Sequence, residues 1–293
     1  MTFIPLDKRE GYIWINGEFM PAESAKIHIL TNSLHYASAV FEGERAYDGK
    51  IFKLKEHTDR LFKSAATLKH KPTFLPEEIN RATKELLTMN GLKDCYVRPL
   101  VWRGSESMRL TSPMLSTNMM IACWEMGGGG EGKRAPEMNL VLSKWAKAHP
   151  NAAPPQCKGA GSYQMSIVAQ LEAAEQGFDD ALMLDWQGRV AECTTSNIFF
   201  VDNDKLVTPT PDVFLHGITM QAVMEIARAA GIKTEERRIM PDELGNFTEC
   251  FITGTAAGIK RVNSITNNSY KITYKNNGIT DELIKSYEEE VRR

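Results

Sequence analysis

Residues 154–197 read PPQCKGAGSYQMSIVAQLEAAEQGFDDALMLDWQGRVAECTTSN, and two positions in this stretch carry most of the chemical information. Lys158 lies in a Gly-rich turn that extends to Tyr163, and Glu192 begins the segment that ends at Asn197. Between them, the sequence predicts a helix over about 165–175 that is ended by Gly177, followed by strands at 181–185 and 190–191. A helix between short strands indicates a mixed α/β fold.

The rest of the chain continues this alternation of strand and helix patterns. Asn16-Gly17 predicts a hairpin turn after a strand at 12–15, while Thr58 and Pro76 are the expected starts of two helices. Further helices are expected at 219–231 and after a Thr280 cap. The remaining expected strands are the runs at 27–30, 51–54, 96–102, 119–124, 140–142, 198–201, 205–208 and 250–253.

Four consecutive glycines at 127–130 open the Gly-rich segment 127–136. Such a run cannot cheaply hold a helix or strand, so it predicts a linker. The expected organisation is a small N-terminal α/β domain at 1–126, an interdomain linker at 127–136, and a larger C-terminal domain at 137–293. The alternative is a flexible surface loop inside a single domain.

Composition narrows the classes of protein that the chain can represent. Its 293 residues are 42% hydrophobic and 25% charged, with a net charge of -2, which favours a soluble globular protein over a nucleic-acid or membrane-surface binder. The apolar runs are shorter than the ~20 residues that span a bilayer, and the N-terminus lacks the apolar region of a signal peptide. Five scattered cysteines without paired metal spacing predict a reduced, cytoplasmic compartment and no metal site.

Lys158 and Glu192 suit the chemistry of an aldehyde cofactor. A nucleophilic lysine must be neutral part of the time, which requires its pKa to fall by about 3 units from ~10.4. A carboxylate beside a pyridine nitrogen keeps that nitrogen protonated. Taken singly, each residue has a simpler interpretation, as a surface lysine and as an exposed carboxylate at a strand end.

Two further segments could bind a phosphate group. Gly217, Ile218 and Thr219 run into a predicted helix, whose first backbone N–H groups are free to bind an anion. The small-residue loop at 254–257 follows a predicted buried strand and could aim amides and a hydroxyl in the same way. Either segment could instead be an ordinary cap or turn.

These segments, together with 35–47, 57–61 and 96–99, occur in an order and spacing that resemble a known family. The chain is similar to the class IV, or fold type IV, aminotransferases that depend on pyridoxal 5'-phosphate (PLP), and most closely to the branched-chain amino-acid aminotransferases. The resemblance implies a two-domain mixed α/β architecture, with a small open α/β domain and a larger pseudo-barrel α/β domain. It also implies PLP as the cofactor and a homodimer.

The resemblance assigns cofactor roles residue by residue. Lys158 would form the Schiff base with PLP and shuttle the proton at the substrate α-carbon, Glu192 would pair with the ring nitrogen, and Tyr163 would hydrogen-bond the ring 3-oxygen. The remaining cofactor-binding residues, chiefly around the phosphate, would be Arg60, Asn197, Gly217, Ile218, Thr219, Gly254 and Thr255.

The substrate site follows in the same way. Tyr96, with the amides of Thr255 and of Ala256 or Ala257, would receive the substrate α-carboxylate. Arg98 would help to position that carboxylate or bind the second acid of a dicarboxylate. The other expected substrate-binding residues, which shape the side-chain pocket, are Tyr36, Phe41, Gly43 and Arg45.

The expected reaction is amino-group transfer between a branched-chain L-amino acid and 2-oxoglutarate. Related alternatives are a D-amino-acid or amine transaminase, or an aminodeoxychorismate lyase, and a further one is a PLP-binding protein without turnover. Two departures from the family pattern bear on substrate choice: Gly258 stands where an acidic residue is common, and Arg109 lies in the loop 108–110. Arg109 either binds an anionic side chain or faces solvent, and solvent is favoured.

Overall fold

The computed structural model describes residues 4–126, 137–275 and 278–293, so the predicted linker at 127–136 lies outside the described residues. The chain divides into two units: unit 1 comprises Met1–Lys133 and Cys157–Ser162, and unit 2 comprises Arg134–Gln156 and Tyr163–Arg293. The segment with Lys158 thus groups with the N-terminal unit, although the sequence-based division put it in the C-terminal domain. The boundaries 1–126 and 137–293 stay a prediction about folding domains.

Unit 1 is built on a seven-stranded sheet in the order β2-β1-β7-β6-β4-β5, with β3 also paired to β6. All the pairings in this sheet are antiparallel. The strands are β1 (Tyr12–Ile15), β2 (Glu18–Pro21), β3 (Val40–Phe41), β4 (Glu44–Tyr47), β5 (Lys50–Ile51), β6 (Cys95–Arg103) and β7 (Thr117–Glu125). The predicted hairpin at Asn16-Gly17 and the strands at 96–102 and 119–124 are confirmed.

The helices of unit 1 are α1 (Asn32–Tyr36), α2 (Leu54–Thr67) and α3 (Pro76–Met89). Helix α3 begins at the predicted proline and buries the predicted apolar positions Ile79, Ala82 and Leu86, because residues three and four apart share one helix face. In α2 the expected cap was wrong: the helix begins at Leu54, and Thr58 is a buried residue inside it.

Two expected strands of unit 1 were also wrong. Residues 27–30 form no strand, and their apolar side chains are exposed, at 57% for Ile27 and 70% for Ile29. The run at 51–54 is divided between β5 and the start of α2, because Lys53 adopts a left-handed conformation with φ 54° and turns the chain. A short apolar run does not by itself specify a strand partner.

Unit 2 is built on a nine-stranded mixed sheet in the order β10-β9-β8-β15-β14-β11-β12-β13, with β16 also paired to β15. Strand β8 is parallel to β9 and β15, and β12 is parallel to β13. The strands are β8 (Glu137–Lys147), β9 (Asp180–Asp185), β10 (Val190–Cys193), β11 (Asn197–Asp202), β12 (Lys205–Pro209), β13 (Lys233–Arg237), β14 (Glu249–Gly254), β15 (Gly258–Thr266) and β16 (Lys271–Thr273).

The helices of unit 2 are α4 (Gln164–Glu175), α5 (Ile218–Ala229) and α6 (Ile279–Glu290). They match the predicted helices, although Gly278 rather than Thr280 occupies the cap position of α6. The core includes Phe199 and Phe251, whose rings stack at 5.0 Å on the neighbouring strands β11 and β14. Strand β13 escaped prediction because its sequence, KTEER, lacks an apolar face.

The expected mixed α/β fold class is confirmed by these two sheets and the helices that pack on them. Among the described residues, no helix has the length and apolar character needed to cross a membrane.

Candidate active site

Lys158 lies beside strand β3 in unit 1. Its backbone N–H donates to the Ser64 hydroxyl at 3.0 Å, and its carbonyl accepts from the N–H of Phe41 at 3.1 Å. The half-buried side chain brings Nζ to 5.0 Å from the centre of the Phe41 ring. The backbone of this lysine is therefore fixed by sheet-like contacts, while its amine lies over the face of the Phe41 ring.

Arg98 lies between two aromatic rings on the same unit. Its guanidinium carbon is 4.7 Å from the centre of the Phe41 ring and 5.3 Å from that of Tyr96. One terminal nitrogen donates to the Tyr96 hydroxyl at 3.1 Å. Nε is buried and has no hydrogen-bond partner within the described ranges 4–126, 137–275 and 278–293. Three of the predicted substrate residues are thus brought together, with an unsatisfied cationic donor among them.

Gly43 packs directly against Tyr96. A Cβ at Gly43 would lie 1.9 Å from the tyrosine hydroxyl, so no other residue fits without moving Tyr96. The absence of a side chain at Gly43 therefore leaves room for the Tyr96 hydroxyl. The role of Gly43 in the substrate side-chain pocket stays a prediction.

Arg60 is predicted to bind the cofactor phosphate, and in the structure its guanidinium pairs with a carboxylate. Its Nε and one terminal nitrogen donate to the two oxygens of Glu42 at 2.6 and 2.9 Å. His57 Nδ1 lies 2.8 Å from the same carboxylate. This fork-like geometry fixes the guanidinium plane.

Glu42 is fully buried, and its ionisation depends on this pairing. Burial on its own would raise the pKa of the Glu42 carboxyl, but the charge of Arg60 and the hydrogen bonds from His57 and Arg60 outweigh burial and lower the pKa to about 2. Glu44, also buried, behaves in the opposite way: burial and the charge of Glu42 raise its pKa well above the usual value. The surroundings of these two neighbouring glutamates therefore shift their pKa values in opposite directions.

The other predicted substrate residues of unit 1 lie in different settings. Tyr36, on α1, is exposed and donates its hydroxyl to the Met108 carbonyl at 2.9 Å. The guanidinium of Arg45 lies 4.6 Å from the centre of the Tyr47 ring. Arg109 is exposed, in keeping with the favoured solvent-facing interpretation.

In unit 2, Glu192 lies on β10, with each carboxylate oxygen in contact with a side chain. Oε1 is 2.8 Å from Lys147 Nζ, and Oε2 accepts from the Asn197 side-chain amide at 3.0 Å. The predicted exposed alternative is wrong, since Glu192 is buried. Lys147, at the end of β8, was not predicted.

The start of α5 is open to an anion. Gly217 precedes the first helical residues, Ile218 and Thr219, and no side chain within the described ranges caps this end. The first N–H groups of a helix lack intrahelical partners and carry partial positive charge. A Cβ at Gly217 would lie 2.1 Å from Oδ1 of Asn197, whose amide also donates to Leu215 O at 3.0 Å. Glycine therefore lets the helix start lie close to Asn197.

The loop 254–257 is the turn between β14 and β15. Gly254 pairs with Gly258 across this hairpin, which places Thr255, Ala256 and Ala257 at its tip. Gly258, the departure from the family pattern, thus begins β15. Tyr163 is half-buried at the N-terminal cap position of α4.

The described residues fit PLP in their donor chemistry. They supply a lysine amine over an apolar ring, a buried carboxylate for a ring nitrogen, and an uncapped helix start for a phosphate. No cluster of three or more histidine, cysteine, aspartate or glutamate side chains suited to a metal ion occurs in the part of the chain that the structure describes.

Comparison with known proteins gives the same class. The model of the family described as amino-transferase class IV matches residues 39–265. A Rickettsia felis protein named probable branched-chain-amino-acid aminotransferase is 47% identical over 294 aligned positions, covering 100% of both chains. The branched-chain-amino-acid aminotransferase of Pseudomonas aeruginosa is 37% identical over 285 positions, covering 95% of this chain and 92% of the relative.

Solved structures of branched-chain aminotransferases superpose closely on this chain. The crystal structure of the branched-chain aminotransferase from the archaeon Thermoproteus uzoniensis with norvaline superposes with a TM-score of 0.90 at 31% identity, covering 97% of this chain and 95% of the other. The branched-chain amino acid aminotransferase from Thermobaculum terrenum in its PLP form gives 0.87 at 31% identity, with the same coverage of 97% and 95%. The fold is therefore that of the fold type IV aminotransferases. The chain belongs to the class IV aminotransferase family.

Sequence reasoning missed three ionisable residues next to the predicted ones. Glu42 and His57 lie inside the family-like blocks, and their residue types in a buried setting were the available signal. Lys147 offered none, because the predicted strand at 140–142 stopped before it, whereas β8 extends to Lys147.

Proposed function

We propose that this chain is a PLP-dependent aminotransferase that transfers an amino group between a branched-chain L-amino acid and 2-oxoglutarate. The full-length similarity to relatives named for the branched-chain reaction supports the amino-acid substrate. The observation that carries the acceptor is Arg98, whose buried Nε has no hydrogen-bond partner within 4–126, 137–275 and 278–293. A carboxylate satisfies such a donor in a charge-assisted hydrogen bond.

When bound, PLP supplies an electron sink that stabilises charge at the α-carbon of the amino acid. Lys158 would provide the amine that holds the cofactor aldehyde and, once the substrate amine has freed it, would move the proton between that α-carbon and the cofactor C4′. Glu192 would accept a hydrogen bond from the protonated ring nitrogen, and Tyr163 would donate to the ring oxygen. The first amides of α5, with Arg60 and Thr255, would bind the phosphate.

Phe41 and Arg98 offer a way to accept two unlike substrates. The Phe41 ring presents an apolar surface to a branched side chain, while the guanidinium 4.7 Å from its centre offers charge to the second carboxylate of glutamate or 2-oxoglutarate. Tyr96, already hydrogen-bonded to Arg98, donates to the α-carboxylate that both substrates share. One set of residues thus serves both half-reactions.

A spectral panel tests the proposal. The purified protein, loaded with PLP, should show a visible absorption band that Lys158→Ala abolishes. L-Leucine should convert this band to that of the pyridoxamine form, and 2-oxoglutarate should then restore it. Conversion by D-alanine alone, or pyruvate release from aminodeoxychorismate, would show another class IV activity. A protein that binds PLP and responds to none of the three would be a binding protein without turnover.

We further propose a homodimer in the cytoplasm. Unit 1 exposes a series of large apolar side chains, whose contact with water is unfavourable and which could pack against a second subunit. They are Ile27, Ile29, Leu30 and Leu34. No disulfide joins the described cysteines, as expected in a reducing compartment. Light scattering during gel filtration should give about twice the 32.9 kDa chain mass, and a monomer would contradict the first part of this proposal.

A further inference from the structure

The ammonium group of Lys147 lies against the carboxylate of Glu192 in a largely buried setting. Nζ is 2.8 Å from Oε1, and the two side chains are only 15% and 11% exposed. Nζ also lies 3.4 Å from the Ser166 hydroxyl on α4. Because Asn197 holds the other oxygen, the plane of the carboxylate is fixed from two sides.

A carboxylate in this position needs a cation to stay ionised. Burial favours the neutral form of a carboxyl group, whereas an ammonium group within hydrogen-bond distance favours the charged form. A protonated Glu192 would lose much of its ability to accept a hydrogen bond from a protonated ring nitrogen. The charge state of Glu192 before the cofactor arrives therefore affects how well the cofactor binds.

We propose that Lys147 is a positioning residue that keeps Glu192 ionised and oriented toward the ring nitrogen of PLP. This inference rests on the proposed function. Each carboxylate oxygen has two lone pairs, so contacts with Lys147 and Asn197 leave acceptor capacity for the ring N–H. Lys147 acts through Glu192 and needs no contact with the substrate.

Other ionisable groups surround this pair. Cys193 follows Glu192 on β10, and burial, with the charge of Asp180, raises the pKa of its thiol well above the usual value. Burial likewise raises the pKa of Cys250. Asp180, on β9, accepts hydrogen bonds from the Thr194 hydroxyl at 2.6 Å and the Ala181 N–H at 2.8 Å. Both thiols are therefore uncharged at neutral pH, and Lys147 supplies a cation that pairs with Glu192.

Three variants isolate the charge of Lys147. Lys147→Met removes the ammonium and keeps a similar length, and Lys147→Arg keeps a positive charge. Lys144→Met is the matched control, because Lys144 is on the same strand and also pairs with a glutamate, Glu172 at 2.9 Å, but is 68% exposed. Circular dichroism checks folding. If Lys147→Met does not fold, Lys147→Gln takes its place, since it is also neutral.

The measurement is binding of PLP to the apoprotein between pH 6 and 8. The dissociation constant of Lys147→Met, divided by that of the wild type at each pH, should rise about tenfold from pH 8 to pH 6, because Glu192 then has to lose a proton on binding. The ratio cancels the titration of the PLP phosphate. Calorimetry in buffers of different ionisation enthalpy should detect the extra proton released at pH 6.

Lys147→Arg should restore a flat ratio, and Lys144→Met should match the wild type. A ratio that stays flat for the neutral variant, with no extra proton released, would overturn the role of Lys147, while PLP binding by the wild type would leave the proposed function standing. A wild-type apoprotein that does not bind PLP would overturn both.

Discussion

Replacement of Glu42 by glutamine should destabilise the protein, and the same replacement at Glu44 should not. Both glutamates are fully buried, so the pair separates the effect of charge from the effect of side-chain shape. Glu42 is ionised and paired with Arg60 and His57. Burial and the charge of Glu42 raise the pKa of Glu44 well above its usual value, which favours its protonated form.

The size of the Glu42 effect follows from its pKa. A fall from 4.5 to about 2, at about 1.4 kcal/mol per unit, corresponds to about 3 kcal/mol of folding free energy. Breaking a buried ion pair by removing one partner costs about 3–5 kcal/mol, which is consistent. For a chain of this size we expect the melting temperature of Glu42→Gln to fall by roughly 5 °C at pH 7.

The pH dependence of the folding free energy gives a second test, because Glu42 and Glu44 change it in opposite directions. Because the folded-state pKa of Glu42 is lowered, its contribution is complete above about pH 4.5 and is lost as the pH falls toward about 2. The folded-state pKa of Glu44 is raised, so stability declines as the pH rises above about 4.5. Glu42→Gln should remove the acid-side loss, and Glu44→Gln should remove the decline toward higher pH.

Urea unfolding, followed by tryptophan fluorescence at pH 4, 7 and 8, measures both effects. Glu44→Gln should be at least as stable as the wild type at pH 8, while Glu42→Gln should unfold at a lower urea concentration at pH 7. Equal losses for the two variants at pH 7, or a greater loss for Glu44→Gln, would refute the assignment of charge to Glu42 and of a proton to Glu44.

Three further outcomes are expected. Arg98→Met should lower kcat/KM for 2-oxoglutarate by at least about tenfold, because one charge-assisted hydrogen bond is lost. Conversion of the bound cofactor by L-leucine should be much less affected. Equal losses for the two substrates would argue against a role of Arg98 in binding 2-oxoglutarate. Gly217→Ala should weaken PLP binding to the apoprotein, because its Cβ would lie 2.1 Å from Asn197 Oδ1. The control is Gly245→Ala, which should bind PLP normally. At Gly245 no atom of the described residues lies within 4 Å of the added Cβ. Arg109→Ala should leave leucine turnover nearly unchanged, since the side chain is exposed; a large loss confined to glutamate would show that Arg109 binds an anionic side chain.

Local patterns predicted several elements well. Helix α3 follows from Pro76 and a three-and-four spacing of apolar residues, and α4 ends at Glu175, just before the predicted stop at Gly177. The hairpin at Asn16-Gly17 follows from turn chemistry. These features depend on neighbours within a few positions, which is the information that a sequence pattern contains.

Predictions failed where a distant partner decides the structure. The exposed run at 27–30 has strand-like composition and no strand. Strand β13 has charged composition and is a strand because it pairs in parallel with β12. Composition describes the preferred surroundings of a segment, whereas pairing with another strand settles whether it becomes part of a sheet.

The sequence by itself determined the family and the mixed α/β class, and it predicted the residues that carry the chemistry, Lys158 and Glu192 above all. The tertiary structure decided which charges hold those residues in place. Arg60 pairs with Glu42 across 18 positions, and Lys147 reaches Glu192 because β8 and β10 both flank β9. Such ion pairs depend on strand order and register, which bring distant positions together and which local periodicity does not encode.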